Sequence, residues 1–246
     1  MKIAVFGDIH GNVQALDAAL ADIASQKPDA VYCLGDLVGY GANPNEVTAR
    51  IRGGGYPTIM GNYDDGVGFD RDECGCAYRE DAERERGQRS LEWTKARVTA
   101  ENKAFLRTLH AEIRFEVDGR RILLVHGSPR KMNEYLFEDR PLSSFQRLAA
   151  SSLADVIVFG HTHKPYVKTV DGVLFVNAGS VGKPKDGDWR ACYVRLELGH
   201  HHPNLEFVRV DYDIDATIAG VRAAGLPEEF VELLRTGGKT LAGARA

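Results

Sequence analysis

The chain has 246 residues, 43% of them hydrophobic and 27% charged, with a formal net charge of -4. This is an ordinary globular composition with room for one α/β domain or two small ones. The near-neutral charge speaks against a general nucleic-acid binder, and no apolar run reaches the ~18–20 residues of a membrane span.

In chain order, residues 2–6 read as a buried strand, and Asn12 opens an apolar-periodic helix through about Ala24. A start of MKIAVFGD lacks the basic and longer apolar regions of a cleaved leader, so a cytoplasmic location is expected. Residues 29–34 form a second strand. After the Gly39-Tyr40-Gly41 loop, Asn43-Pro44 starts a helix that Gly53-Gly54-Gly55 ends, before a third strand at 56–60. This alternation implies βαβ units and a largely parallel first sheet. Residues 64–76, rich in Gly and Asp, look like a loop. Cys33 and Cys192 read as small buried apolar residues, and Cys74-Gly75-Cys76, tighter than a CxxC pair, as a loop with two free thiols.

From about 78 to 110 the pattern is helical and heavily charged, and Arg79 to Arg86 interleave Arg and Glu as on a solvated face. Leu91, Trp93, Val98, Phe105, Leu106 and Leu109 supply a buried side, and His110 falls at the helix end, favourable to the dipole there. Two hairpins follow, with turns at Asp118-Gly119 and Asp171-Gly172, separated by a helix at 141–151 and a buried strand at 155–159. A third hairpin joins 191–198 to 205–210 through a solvated loop containing His200, His201 and His202, and a helical tail starts near Asp213. The pattern predicts one α/β domain over 1–246, with two packed sheets, helices outside and a helical insert at about 78–110.

Five segments carry metal-ligand chemistry: Gly7-Asp8-Ile9-His10, Gly35-Asp36, Gly61-Asn62-Tyr63-Asp64, His126-Gly127 and Gly160-His161-Thr162-His163. Taken singly each is weak, since buried or turn-capping roles are as common. Together they decide, because nearly every one of the five follows a short β-branched or apolar run, which sets each ligand at the end of a buried strand. Oxygen ligands mixed with imidazoles suit first-row transition metals such as Mn, Fe, Zn, Co or Ni rather than calcium. Two such ions side by side are an apparatus for phosphate-ester hydrolysis.

The order of these segments resembles the calcineurin-like metallophosphoesterase superfamily. The resemblance spans Asp8 to His163 and implies a double β-sandwich flanked by helices. It also implies two divalent metal ions: Asp8, His10 and His163 on one, Asn62, His126 and His161 on the other, and Asp36 bridging both with a hydroxide that attacks phosphorus. Many members carry a His after the Gly-Asn pair that helps protonate the leaving group. Here that position is Tyr63, a weaker acid with an unperturbed pKa of about 10. General-acid assistance is worth ~10²–10⁴-fold, so poor leaving groups should suffer most and phosphodiesters or phosphoanhydrides least. Asp64 either positions Tyr63 or caps a turn. The segments also look like a branch related to diadenosine tetraphosphate hydrolases and protein phosphatases, so a nucleotide or phosphoprotein substrate stays open. So does a non-catalytic scaffold, as in the superfamily's retromer subunit.

Around the cleft, Asn12 can touch substrate but fits a helix N-cap, and Arg130 has a claim on a substrate phosphate. Residues 177–182 resemble the superfamily's final loop near the metals. Lys183, Lys185 and Arg190 beyond it are candidates for a second phosphate, with solvated surface charge the simpler reading. The expected partner is a small phosphate ester or nucleotide, with neither a membrane nor a stable nucleic-acid complex.

Overall fold

The computed structural model describes residues 1–77, 80–199 and 203–239. Strand β1 (Lys2–Phe6) shows why its sequence is a continuous apolar run. Side chains alternate across a strand, so Ile3 and Val5 enter the core between two sheets while Ala4 and Phe6 face a layer of helices. A strand covered on both faces has no polar side to expose.

The first sheet has the order β2-β1-β8-β9, formed by β1, β2 (Ala30–Cys33), β8 (Ala191–Glu197) and β9 (Asn204–Val210). Only β1 and β2 run parallel; β8 lies antiparallel to β1, and β9 to β8. The sheet is therefore mixed rather than largely parallel, because the C-terminal hairpin takes the free edge of β1. The second sheet has the order β3-β4-β5-β7-β6, from β3 (Ile113–Val117), β4 (Arg120–Leu124), β5 (Val156–Phe159), β6 (Tyr166–Val170) and β7 (Val173–Asn177). Both Asp-Gly hairpins form as the sequence predicts. Asp118, Gly119, Asp171 and Gly172 all have φ between 49° and 81°, as the primed two-residue turns require.

Between the sheets, Ile3, Val5 and Leu34 meet Ile122, Val156 and Val176 in a dry core. Helices α1 (Val13–Ser25) and α2 (Pro44–Gly54) cover the outer face of the first sheet. Helix α6 (Leu142–Ser152) covers the second, setting Phe145 edge-on to Phe175 at 5.2 Å. This is the predicted α/β architecture of two packed sheets flanked by helices, and both sheets are mixed.

Two expected elements differ. Residues 56–60 make isolated bridges, Cys33 to Thr58 and Ile59 to His110, in place of a strand; Pro57 brings no N–H to a ladder. His110 is thus held by its backbone beside Ile59 rather than ending a helix. The expected loop from 64 onward begins as helix α3 (Asn62–Gly68), whose first turn carries Asp64 and Asp65, a placement the helix dipole favours.

The charged region forms α4 (Asp81–Arg97) and α5 (Ala100–Leu106), with Leu91, Val98 and Leu106 buried as expected. Trp93 Nε1 donates to the Ala224 carbonyl at 3.0 Å, joining α4 to the end of α7 (Ile214–Ala223), against which α8 (Glu228–Arg235) packs. His200, His201 and His202, and the tail beyond 239, lie outside the described residues. Among the described residues no helix is long and apolar enough to cross a membrane.

Candidate metal centre

All five motif segments emerge at one end of the sandwich. Asp8 and His10 follow β1, Asp36 follows β2, Asn62 is the first residue of α3, His126 follows β4, and His161 and His163 follow β5. The chain turns sharply at these points: Asp8, His10, Asp36, His161 and His163 all have φ between 50° and 65°. Non-glycine residues adopt that left-handed conformation at a cost of order 1–3 kcal/mol, which surrounding structure must offset. Two glycines make room. A Cβ on Gly61 would strike the Asp36 carboxylate, and one on Gly160 would strike that of Asp8.

The ligand atoms converge in two overlapping groups. Asp8, His10, Asp36 and His163 form one, and Asp36, His126 and His161 the other; within each group the candidate atoms all lie within 4.8 Å of one another. Asp36 belongs to both, its Oδ2 standing 3.5 Å from His10 Nε2 and 3.5 Å from His126 Nε2. His163 Nε2 is 3.4 Å from Asp8 Oδ1 and 3.1 Å from His10 Nε2. Asn62 joins the second group through Oδ1, 3.2 Å from His126 Nε2.

Hydrogen bonds behind the site aim these atoms. The Nδ1 atoms of His10, His126 and His163 face the carbonyls of Val38, Leu34 and Lys183 at 3.1, 2.8 and 2.6 Å. A proton held on Nδ1 leaves the Nε2 lone pair free for a metal. The carboxylates divide their work likewise. Asp8 Oδ2 accepts from His161 N and Asp36 Oδ1 from Tyr63 N, freeing the other oxygen of each. Asp8 Oδ1 and His161 Nε2 are buried with no hydrogen-bond partner. Orphaned buried polar atoms are rare and costly, and here both belong to the converging donor sets, so the residues fit divalent metal ions.

The charges agree. Burial raises the Asp8 carboxyl above the usual carboxylate range. Burial also lowers His10, to about 3, and holds His161 and His163 well below the usual imidazole value. His126 goes the other way: burial opposes its charge, yet Asp36, Asp8 and the Leu34 carbonyl lift it to about 10. His10, His161 and His163, held neutral beside the buried carboxylates Asp8 and Asp36, are donors for cations.

Asp64 does not touch the cluster's donors. Its carboxylate accepts from the backbone N–H groups of Asp36, Leu37 and Gly61 at 2.7, 2.9 and 3.0 Å. Of the two roles expected for it, the capping one describes these bonds. Tyr63 is 1% exposed and sits edge-on to His10 with ring centroids 5.4 Å apart. Asn12 is the α1 N-cap, accepting from Ala15 N, while its amide donates to Gly182 O. Arg130 is 61% exposed and paired with Glu134, and Arg190 pairs with Asp188; neither lines the cleft.

Other cleft residues were less legible. Cys74 and Cys76 are free thiols 3.2 Å apart, and Cys76 Sγ accepts from Asn62 Nδ2 at the pocket's edge. Tyr40 and Tyr135 line the pocket with Lys185. Tyr135 carried no motif; only its short distance in sequence from His126 could have drawn attention to it.

The sequence profile of the "Calcineurin-like phosphoesterase superfamily domain" matches residues 1–201. An uncharacterized protein of Methanocaldococcus jannaschii is 34% identical over 252 residues, covering 96% of this chain and 98% of that protein. A metallophosphoesterase from Sphaerobacter thermophilus has a crystal structure with a TM-score of 0.75 at 29% identity, covering 96% of this chain and 99% of that one. A hypothetical protein from Pyrococcus horikoshii shares the fold at a TM-score of 0.83 and 23% identity, covering 97% and 99%.

Proposed function

This chain belongs to the calcineurin-like phosphoesterase superfamily and is a metal-dependent phosphoesterase; on that premise we propose that it holds two divalent ions and hydrolyses phosphodiester or phosphoanhydride bonds. Asp8, His10 and His163 would hold one ion, Asn62, His126 and His161 the other, and Asp36 both. The observation that carries this reading is the position of Asp36 Oδ2, 3.5 Å from an imidazole of each group. Paired divalent ions supply Lewis acidity toward phosphoryl oxygens and activate water for in-line attack.

The chain's own residues do the rest. Backbone carbonyls facing Nδ1 orient the rings of His10, His126 and His163, and Asp64 holds the turn that carries Asp36. We assign Tyr63 to the position from which a leaving group would be protonated, and a phenol is a weak acid there. Substrates with stable leaving anions are therefore favoured over alkyl monoesters. Four free cysteines suit a reducing compartment, so we assign the enzyme to the cytoplasm.

The test is to strip the protein of metal, restore Mn²⁺, and compare bis-p-nitrophenyl phosphate with p-nitrophenyl phosphate. Diester hydrolysis is expected, with loss of at least ~10²-fold in Asp36→Asn and a gain of monoester activity in Tyr63→His. No turnover with Mn, Fe, Zn, Co or Ni would replace this reading with a non-catalytic scaffold.

A further inference from the structure

One wall of the metal pocket has no use in the proposed hydrolysis. The chain leaving α3 returns to the pocket, where Cys76 lines it together with Asp36, Asn62 and His161. Cys74 is buried at 8% exposure, Cys76 is half-buried, and their sulfurs face each other at 3.2 Å. The glycine between them permits the approach. Gly75 has a φ of 67°, in the left-handed region, and a Cβ there would strike the Asn133 amide that donates to the Gly75 carbonyl at 2.9 Å. A residue with a side chain would resist both the turn and the contact.

The same loop grips a residue of the metal centre. Asn62 Nδ2 donates to the Cys74 carbonyl at 3.0 Å and to Cys76 Sγ at 3.3 Å. These bonds fix the amide so that its Oδ1 stands 3.2 Å from His126 Nε2, in the second ligand group. Partners that orient a ligand from behind typically govern metal affinity by ~10–100-fold.

We propose that Cys74 and Cys76 form a reversible oxidation site, closed to a disulfide by a peroxide, and that closure loosens the ion assigned to Asn62, His126 and His161. The second half rests on the two-ion reading and adds a control to it. The more exposed Cys76 sulfur attacks one oxygen of hydrogen peroxide; the O–O bond breaks, water leaves, and Cys76 becomes a sulfenic acid. Cys74 then attacks that sulfur, the S–O bond breaks, and a second water leaves. The two sulfurs together give up two electrons to the peroxide, and the two thiol protons end on the two waters. A disulfide holds its sulfurs ~2.05 Å apart, so the pair closes by roughly 1 Å and draws Cys76 Sγ from Asn62. A ring spanning a single residue is strained and reopens with a thiol. A reducing compartment keeps the pair open at rest.

The test exposes the full-length protein to hydrogen peroxide, removes the oxidant with catalase, alkylates the remaining thiols and weighs the tryptic peptide 72–79, which carries both cysteines. Parallel samples are titrated calorimetrically with Mn²⁺. The peptide should be unalkylated and lighter by two hydrogens, while Cys33 and Cys192, both fully buried, stay reduced. One of two Mn²⁺ sites should weaken at least ~10-fold, and dithiothreitol should restore it. Gly75→Ala keeps both thiols but not their approach, and its peptide should remain reduced. Cys76→Ser, which leaves a hydroxyl to accept from Asn62, should give the same isotherm before and after peroxide. A peptide alkylated at both cysteines, or a disulfide that leaves Mn²⁺ binding unchanged, overturns the proposal. Protein that forms the disulfide but binds no Mn²⁺ even when reduced overturns the two-ion reading and leaves the oxidation site standing.

Discussion

Asp64 shows how a site residue can matter without touching a metal. Its buried carboxylate accepts three backbone N–H groups, from Asp36, Leu37 and Gly61, and so ties the turn after β2 to the start of α3. Removing it leaves three buried donors unsatisfied, each costing ~1–3 kcal/mol before relaxation. Asp64→Ala should lose ~3 kcal/mol or more of unfolding free energy in urea, and Asp64→Asn, which keeps one acceptor oxygen, clearly less. Equal losses would mean that the hydrogen bonds are not the cause. The residue type at this position announced a role, but a carboxylate caps turns and orients neighbours equally well. Only the positions of the three N–H groups distinguish the two.

Among elements, the strands were more legible than the turns after them. The apolar run of residues 2–6 and the two Asp-Gly turns follow from local chemistry, whereas α3 hides in a Gly- and Asp-rich stretch whose helicity depends on packing. The turn entering β8 is a similar case. Arg190 pairs with Asp188 and, with Arg209 of β9 nearby, holds that carboxyl at about 2, below its ordinary 3.8. A depressed carboxyl adds stability that is complete above the unfolded-state value and disappears as pH falls through the folded one. Asp188→Asn should therefore flatten the acid limb of the stability curve between 3.8 and about 2 and leave its slope near neutrality alone. Urea midpoints across that range provide the check, and an unaltered limb would refute the pairing.

For the molecule as a whole, the two sheets bring segments from Asp8 to His163 to one end, where the buried donors of two overlapping groups converge. Metal binding to the native state should thus stabilise the entire fold. At a metal concentration a hundredfold above Kd the gain is ~2.7 kcal/mol, or roughly 5–10 °C in Tm for a chain of this size. Thermal unfolding with and without Mn²⁺ measures it, and Asp36→Asn should remove most of the shift; a full shift in that variant would show that the metal binds elsewhere.

The ligand set was legible in the linear order of residues because coordination demands particular side chains, and few other pressures place Asp, Asn and His after so many apolar runs. The sandwich was legible because strand alternation and Asp-Gly turns act over a few residues. Tertiary structure decided what depends on distant partners: the antiparallel return of β8 beside β1, the Asp64 cap, and the cleft where Lys183 and Lys185 meet Tyr40 and Tyr135. A lysine two residues from another reads as solvated charge in a sequence. Only the folding of distant helices and loops around it sets the pair half-buried on the wall of a cleft.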